Sequence, residues 1–395
     1  ILLDAPVVMI DNAIVEANTL FSGDAGDIQI DAQQLDIVNG GRVWAANQGS
    51  GSGGAITLNA SESIHIAGPV EPEIADIVSS ETFGAGSAGT ISMTTPVLSV
   101  DEAEIKVSSK GAGDAGVLNV QADRIELING GQLSATTQFG GQGGNIQIVA
   151  STSLLISGDD GTGNGSGVFT DSRVTSTGDA GDISISTPTL ILQDNGEILS
   201  DTLGSGAGGD ITINAHNMTL NDDAEIASDV EGSGNGGHIL INSAVLAMND
   251  EAEISADTNP GSTGASGDVL INASEAVRMR MRTEVGEEAG IFTNSEGDGD
   301  AGDIAINTPL LSMDGAVLNA LTAGDGLGGT IDLQVGRLAL NNRAAISALS
   351  EGNGDAGNIR IRGADRVVVA GVSAITTESA VSNGGNITIA ASDYV

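Results

Sequence analysis

A five-residue pattern recurs thirteen times along the chain: glycine, a small or polar residue, an aliphatic, any residue, and a second aliphatic. It reads G-D-I-Q-I from Gly26, G-A-I-T-L from Gly54, G-T-I-S-M from Gly89 and G-N-I-Q-I from Gly144, and it runs on to G-N-I-T-I from Gly385. Successive copies stand 28, 35, 27, 28, 37, 28, 28, 30, 35, 27, 28 and 28 residues apart. The unit is therefore about 28 residues long, and some units carry insertions. A fixed period of this length marks stacked supersecondary units, none of which buries its apolar face alone.

Within a unit, aliphatics alternate with polar residues in three short runs, such as Ile28 and Ile30, then Leu35 and Ile37, then Val43 with Ala45. Period two signifies strands. A glycine-rich corner such as G-S-G-S-G-G from Gly49 then closes the unit. Three strands and three corners predict one triangular coil. Like strands of successive coils then pair in register, giving an all-β, right-handed parallel β-helix (β-solenoid) of about 13 coils with three parallel sheets. An antiparallel sandwich also offers many short strands, but its turns would not recur at this period. The whole span 1–395 reads as one segment of a longer solenoid.

Composition narrows the partners. Only 2% of residues are aromatic, so the interior must be packed from Ile, Val, Leu and Ala. Cysteine is absent, which excludes disulfide staples and thiolate metal sites. Fifty-three acidic residues face thirteen basic ones, a formal net charge of -40, so nucleic acid is excluded as a partner. No apolar run is long enough for a transmembrane segment.

Three insertions, near 69–79, 159–172 and 283–295, follow the second run and are expected on one edge of the stack. Two end alike, as G-V-F-T-D-S from Gly167 and G-I-F-T-N-S from Gly290. Phe169 and Phe292 therefore occupy equivalent corners, either plugging the gap beneath the loop or offering an aromatic contact. The segment V-R-M-R-M-R from Val277 places Arg278, Arg280 and Arg282 outward in one row, as pairing for acidic neighbours or as a docking strip.

Acids recur in register over three units. Asp194, Asp222 and Asp250 share one position, Asn195, Asp223 and Glu251 the next, and Glu197, Glu225 and Glu253 another. Carboxylates repeated about 5 Å apart repel one another or recruit counterions, and calcium is the candidate cation. The same acids pointing into solvent would simply be screened. The corners D-A-G-D or D-A-G-N at Asp24, Asp179, Asp300 and Asp355 resemble calcium-binding turns but lack the G-G-x-G-x-D repeat. His65, His216 and His238 form no ligand or triad spacing, and no nucleophile or phosphate-loop motif is present. Catalysis is not expected, although a carboxylate pair in a cleft would reopen that question.

Glycine-rich corners followed by G-N-I-T-I or G-D-I-T-I, with L-x-L and A-x-I-S runs between them, resemble the repeat regions of filamentous-haemagglutinin-like exoproteins, particularly cyanobacterial ones. The resemblance covers essentially the whole chain. It implies a secreted, cell-surface rod or fibre that is structural or adhesive. It also implies an outer-membrane partner for two-partner secretion; the uncapped strand edges at both ends of the span suggest contact with other copies of itself, and the basic strip a contact with surface glycans. A calcium-stabilised surface layer and a polysaccharide-active β-helix are the alternatives.

Overall fold

A computed structural model describes residues 1–68, 76–173, 176–281 and 289–394, and all its regular elements are strands. Each of the thirteen glycine-led pentapeptides leads into one long strand, and each long strand pairs in parallel with the one a turn away. The chain is a parallel β-solenoid with turns of about 28 residues. Its contacts divide it into two compact units, Ile1–Gly206 and Ala207–Val395.

In the first unit the long strands are Ile28–Val38, Ile56–Ala67, Ile91–Asp101, Leu118–Ile128, Ile146–Ser157 and Ile183–Gln193. Leu2–Asp4 and Val7–Asp11 together flank the first of them. A second sheet stacks the shorter strands Ile14–Glu16, Arg42–Trp44, Asp76–Thr82, Glu104–Ser109, Gln132–Thr137, Gly167–Phe169 and Glu197–Leu199. The second unit repeats the plan, with long strands Ile211–Asn221, Ile239–Asn249, Val269–Arg280, Ile304–Asp314, Ile331–Asn341, Ile359–Val369 and Ile387–Tyr394. Its shorter strands are Glu225–Ala227, Glu253–Ser255, Gly290–Phe292, Val317–Asn319, Ala345–Ser350 and Ala374–Ser379.

The first two apolar runs of each turn lie in a single long strand that rounds a corner. In Ile211–Asn221, the residues Ile211, Ile213 and Ala215 are buried, His216 and Asn217 are exposed, and burial resumes at Met218 and Leu220. Two successive outward residues shift the alternation, which is how a strand turns a corner without ending. Thr-Pro pairs suit this corner: Thr95, Thr187 and Thr308 each donate a hydroxyl to the carbonyl two residues on, at 3.1, 3.1 and 3.3 Å. The following proline has no N–H to leave unpaired.

Inward aliphatics form ladders. Ile30, Leu58, Met93, Val120, Ile148 and Ile185 occupy one register position through the first unit, each at most 2% exposed. Ile213, Ile241, Ile271, Ile306, Leu333 and Ile361 do the same in the second, all fully buried. The third corner is lined by hydroxyls. Ser80, Thr170, Ser228 and Thr293 each donate inward to a corner glycine carbonyl at 2.7–2.8 Å. Glycine is obligatory where backbones of successive turns touch: a Cβ on Gly113 would lie 2.1 Å from the Gly86 carbonyl oxygen, and one on Gly326 2.0 Å from that of Gly299.

The acidity has a backbone cause. Along the glycine-rich corners no continuous strand ladder runs, so alternate N–H groups need another acceptor, and a side chain one turn earlier supplies it. Asp24 accepts from the Ser52 N–H at 2.8 Å, Asp27 from Ala55 at 2.9 Å and Asp114 from Gln142 at 2.9 Å. In the second unit, Asp210, Asp300, Asp303 and Asp355 do the same toward His238, Leu327, Thr330 and Asn383. The D-A-G-D and D-A-G-N corners at Asp24, Asp300 and Asp355 are thus side-chain staples between turns. Bonds from an N–H to an ionised carboxylate are about twice as strong as neutral ones. Asparagine ladders add to them on the outer face, as from Asn242 to Asn214, Asn272 to Asn242 and Asn307 to Asn272 at 2.8–3.0 Å.

Candidate functional site: a lidded carboxylate cavity

On the outer face of the short strands in the first unit, three parallel rows of side chains run along the stack. Register places Glu104, Gln132, Gly167 and Glu197 in one row, and Lys106, Ser134, Phe169 and Leu199 in the next. The third row holds Ser108 and Thr136, within their strands, and Asp171, two residues past the end of Gly167–Phe169. The Phe169 ring folds back over Gly167, where a Cβ would sit 2.3 Å from Phe169 Cζ. Glycine therefore interrupts the acidic row at this turn because the ring fills the space a longer side chain would take. Gly290 and Phe292 repeat the arrangement in the second unit, with a separation of 2.7 Å, and Phe292 is buried.

The insertion after Ser157 forms a roof over the rows. Asp159 and Gly165 make an antiparallel bridge, and Asp160 gathers the Thr162 and Asn164 N–H groups and side chains at 2.7–3.2 Å. Those bonds from Asn164 and Thr162 hold the Asp160 carboxyl well below the usual carboxylate range. The loop is fastened below: Ser166 Oγ accepts from the Gly130 N–H and donates to the Ser157 carbonyl, each at 2.9 Å. Gln132 Nε2 donates to the Gly165 carbonyl at 2.9 Å. Between roof and strands lies a cavity of about 230 Å³, whose walls include Glu104, Gln132, Ser134, Thr136, Asp171 and Glu197.

Two carboxyls in this cavity are strongly perturbed. Burial pushes Asp171 up to about 6, against the opposing pull of Arg173, the Asp201 N–H and Lys106. Its Oδ1 is cut off from solvent and has no hydrogen-bond partner, the only carboxylate oxygen in that state among the described residues. Burial, and then the Asp171 charge, push Glu197 up to about 7. The roof rests on Glu197, since a Cβ on Gly165 would meet its Oε1 at 3.1 Å. Cationic groups stand close by: Lys106 Nζ lies 3.2 Å from Glu104, and Arg173 lines the cavity.

Asp171 is the missed residue. It belongs to a series, Asp171, Asp201, Asp229 and Asp257, spaced 30, 28 and 28 residues apart, a periodicity legible in the sequence. In the second unit this series is another line of staples. Asp229 accepts from the Asp257 N–H at 2.7 Å, Asp257 from Asn294 at 2.5 Å, and Asn294 from Leu321 at 3.1 Å. Burial pushes Asp229 up to about 6, and burial together with the Asp229 charge pushes Asp257 well above its usual value.

The acids singled out by their spacing do not converge on one point. Asp194, Asn195, Asp222, Asp223, Asp250 and Glu251 occupy corners at positive φ, between 46° and 66°, a conformation that asparagine and aspartate tolerate better than most residues. Asp194 accepts from Ser157 and Gln193 side chains at 3.2 and 3.0 Å. Burial, followed by a hydrogen bond and charge from Glu251, raises Asp223. Glu197, Glu225 and Glu253 lie instead on the short strands, half-buried. Among the described residues no group of three or more His, Asp or Glu side chains has the geometry to hold a metal ion.

In the basic segment Val277 and Met279 face inward while Arg278 and Arg280 are exposed, and Arg280 Nε lies 3.8 Å from Asp314. Arg282 lies outside the described residues, as do 69–75 and 283–288 of two insertions. No helix is long and apolar enough to cross a membrane, among the described residues.

Fold and site together define a parallel β-solenoid with acid-stapled turns and, among the described residues, a carboxylate-lined cavity beside the 159–165 loop. No family model matches the chain, and no curated protein or solved structure matches it either.

Proposed function

We propose that the chain is a structural and adhesive solenoid segment of a secreted cell-surface or fibre protein of the filamentous-haemagglutinin-like kind. Export would use an outer-membrane partner, and contacts would be with other copies and surface glycans. The observation that carries this reading is how the side chains are used: inward aliphatics, corner glycines and outward Asp or Asn each repeat in register to join one turn to the next. Such a chain spends its sequence on persistence of shape. A net charge of -40 keeps neighbouring copies soluble until salt screens them. Electron microscopy and sedimentation velocity over a range of salt concentrations test the reading, together with retention of chain-coated beads on a glycan surface. Elongated particles that associate as salt rises, or beads that are retained, are expected. Compact monomers at every salt concentration, with no retention, would refute it.

One observation favours a second reading. Asp171 and Glu197 are a pair of raised carboxyls in one cavity, the kind of pair that hydrolyses glycosidic bonds with one group as acid and the other as base. The staple line to which Asp171 belongs accounts for its position without catalysis, so the structural reading stands first. Release of reducing ends from a panel of polysaccharides, abolished by Glu197→Gln, would reverse that order.

A further inference from the structure

We infer that the cavity beneath the 159–165 loop is a binding site for one neutral, polyhydroxylated ring, a single pyranose unit. The inference rests on the surface-display reading only for the source of the sugar; occupancy of the cavity is a property of its walls.

Size is the first constraint. About 230 Å³ exceeds what isolated waters fill, at roughly 30 Å³ each, and falls below the roughly 300–1,000 Å³ of drug-sized sites, which leaves room for one ring. Chemistry is the second. The walls mix the hydroxyls of Ser134 and Thr136, the amide of Gln132 and the carboxyls of Asp171 and Glu197. The walls thus present both acceptors and donors, which suits a ligand whose every hydroxyl both donates and accepts.

Other ligand classes fit poorly. A dication needs converging carboxylates; no described group of three provides them, and Lys106 and Arg173 act on Asp171. An anion would face Glu104, Asp171 and Glu197 together. An apolar ligand would leave the amide, hydroxyl and carboxyl groups unpaired.

The test is saturation-transfer NMR on the full chain with the methyl glycosides of glucose, galactose, mannose, xylose and N-acetylglucosamine as probes. Calcium chloride and sodium phosphate are titrated in parallel. At least one glycoside is expected to bind in the millimolar range, and Asp171→Asn and Glu197→Gln to weaken it by about tenfold or more. Both replacements are isosteric and remove a buried charge, so melting curves are expected to hold or rise, and loss of binding cannot be ascribed to unfolding. Silence of all five glycosides overturns the inference, as does undiminished binding in both variants or a response to calcium or phosphate alone. Bead retention and salt-dependent association are separate measurements, so the structural reading survives or fails independently.

Discussion

Replacing Asp171 by Asn is expected to stabilise the protein at pH 8. The carboxyl rises from 3.8 to about 6 on folding, chiefly through burial, so the folded state holds its proton more tightly than the unfolded chain does. No stability is lost well below pH 4, where both states are protonated. Between pH 4 and 6 the unfolded state releases the proton first, and stability falls as the pH rises. At 1.36 kcal/mol per decade of proton affinity the ionised group costs up to ~3 kcal/mol, reduced to about 1–3 by the partial solvent access of the cavity. Lys106 and Arg173 oppose that cost and Glu197 adds to it; all three remain in the variant. Asparagine keeps an oxygen for the Asp201 N–H, as Asn294 does for Leu321 at 3.1 Å. Because a stacked repeat does not unfold in one step, the measurement is local: hydrogen exchange of the Phe169–Ser172 amides, with urea midpoints, at pH 4 and pH 8. Slower exchange in the variant at pH 8 and near-equality at pH 4 are expected. Equal or faster exchange at pH 8 would show that the carboxyl is solvated, and the reasoning about the cavity would fail with it.

Further expectations follow from the same geometry. Ile148→Ala, at the centre of a buried ladder between Val120 and Ile185, should cost about 2–5 kcal/mol by urea denaturation followed by circular dichroism. Gly326→Ala forces a Cβ to 2.0 Å from the Gly299 carbonyl oxygen and should cost about 2–4 kcal/mol; a neutral result would mean that the turns are not in contact there. Asp114→Ala removes the acceptor of the Gln142 N–H, so that amide should exchange faster, with about 1 kcal/mol of local stability lost, while Asp114→Asn should retain most of the protection. Melting with and without a calcium chelator should coincide; a fall in the midpoint on chelation would show that calcium binds and stabilises the fold.

The fold was legible because its cause is periodic. Gly26, Gly54 and their counterparts mark one corner, and period-two aliphatics mark the strands, so the 28-residue unit could be read without reference to tertiary contacts. The chemistry was less legible because charge in a sequence does not say what it faces. Asp194, Asp222 and Asp250 drew attention as a like-charge stack, yet their positive φ values give a conformational reason for Asp at that corner. Asp171 recurs as regularly, but its importance arises from the loop of residues 159–165 and from burial, neither of which its spacing reveals. The Phe169 and Phe292 corners were visible from their shared G-x-F-T pattern, but that the glycine is there to seat the ring needed coordinates.

The staples from a backbone N–H to an Asp or Asn side chain point one way. Asp27 receives the Ala55 N–H, Asp114 that of Gln142, Asp303 that of Thr330 and Asn358 that of Asn386; in each bond the acceptor belongs to the earlier turn and the donor to the later. A completed turn thus offers a row of waiting side-chain oxygens to the chain that follows it, beside backbone bonds that run in both directions, as from the Ile28 N–H to the Ala55 carbonyl and from the Gln48 N–H to the Thr19 carbonyl. The two ends of such a stack therefore differ chemically: the face toward later turns carries side-chain acceptors, and the face toward earlier turns carries the N–H groups that fill them.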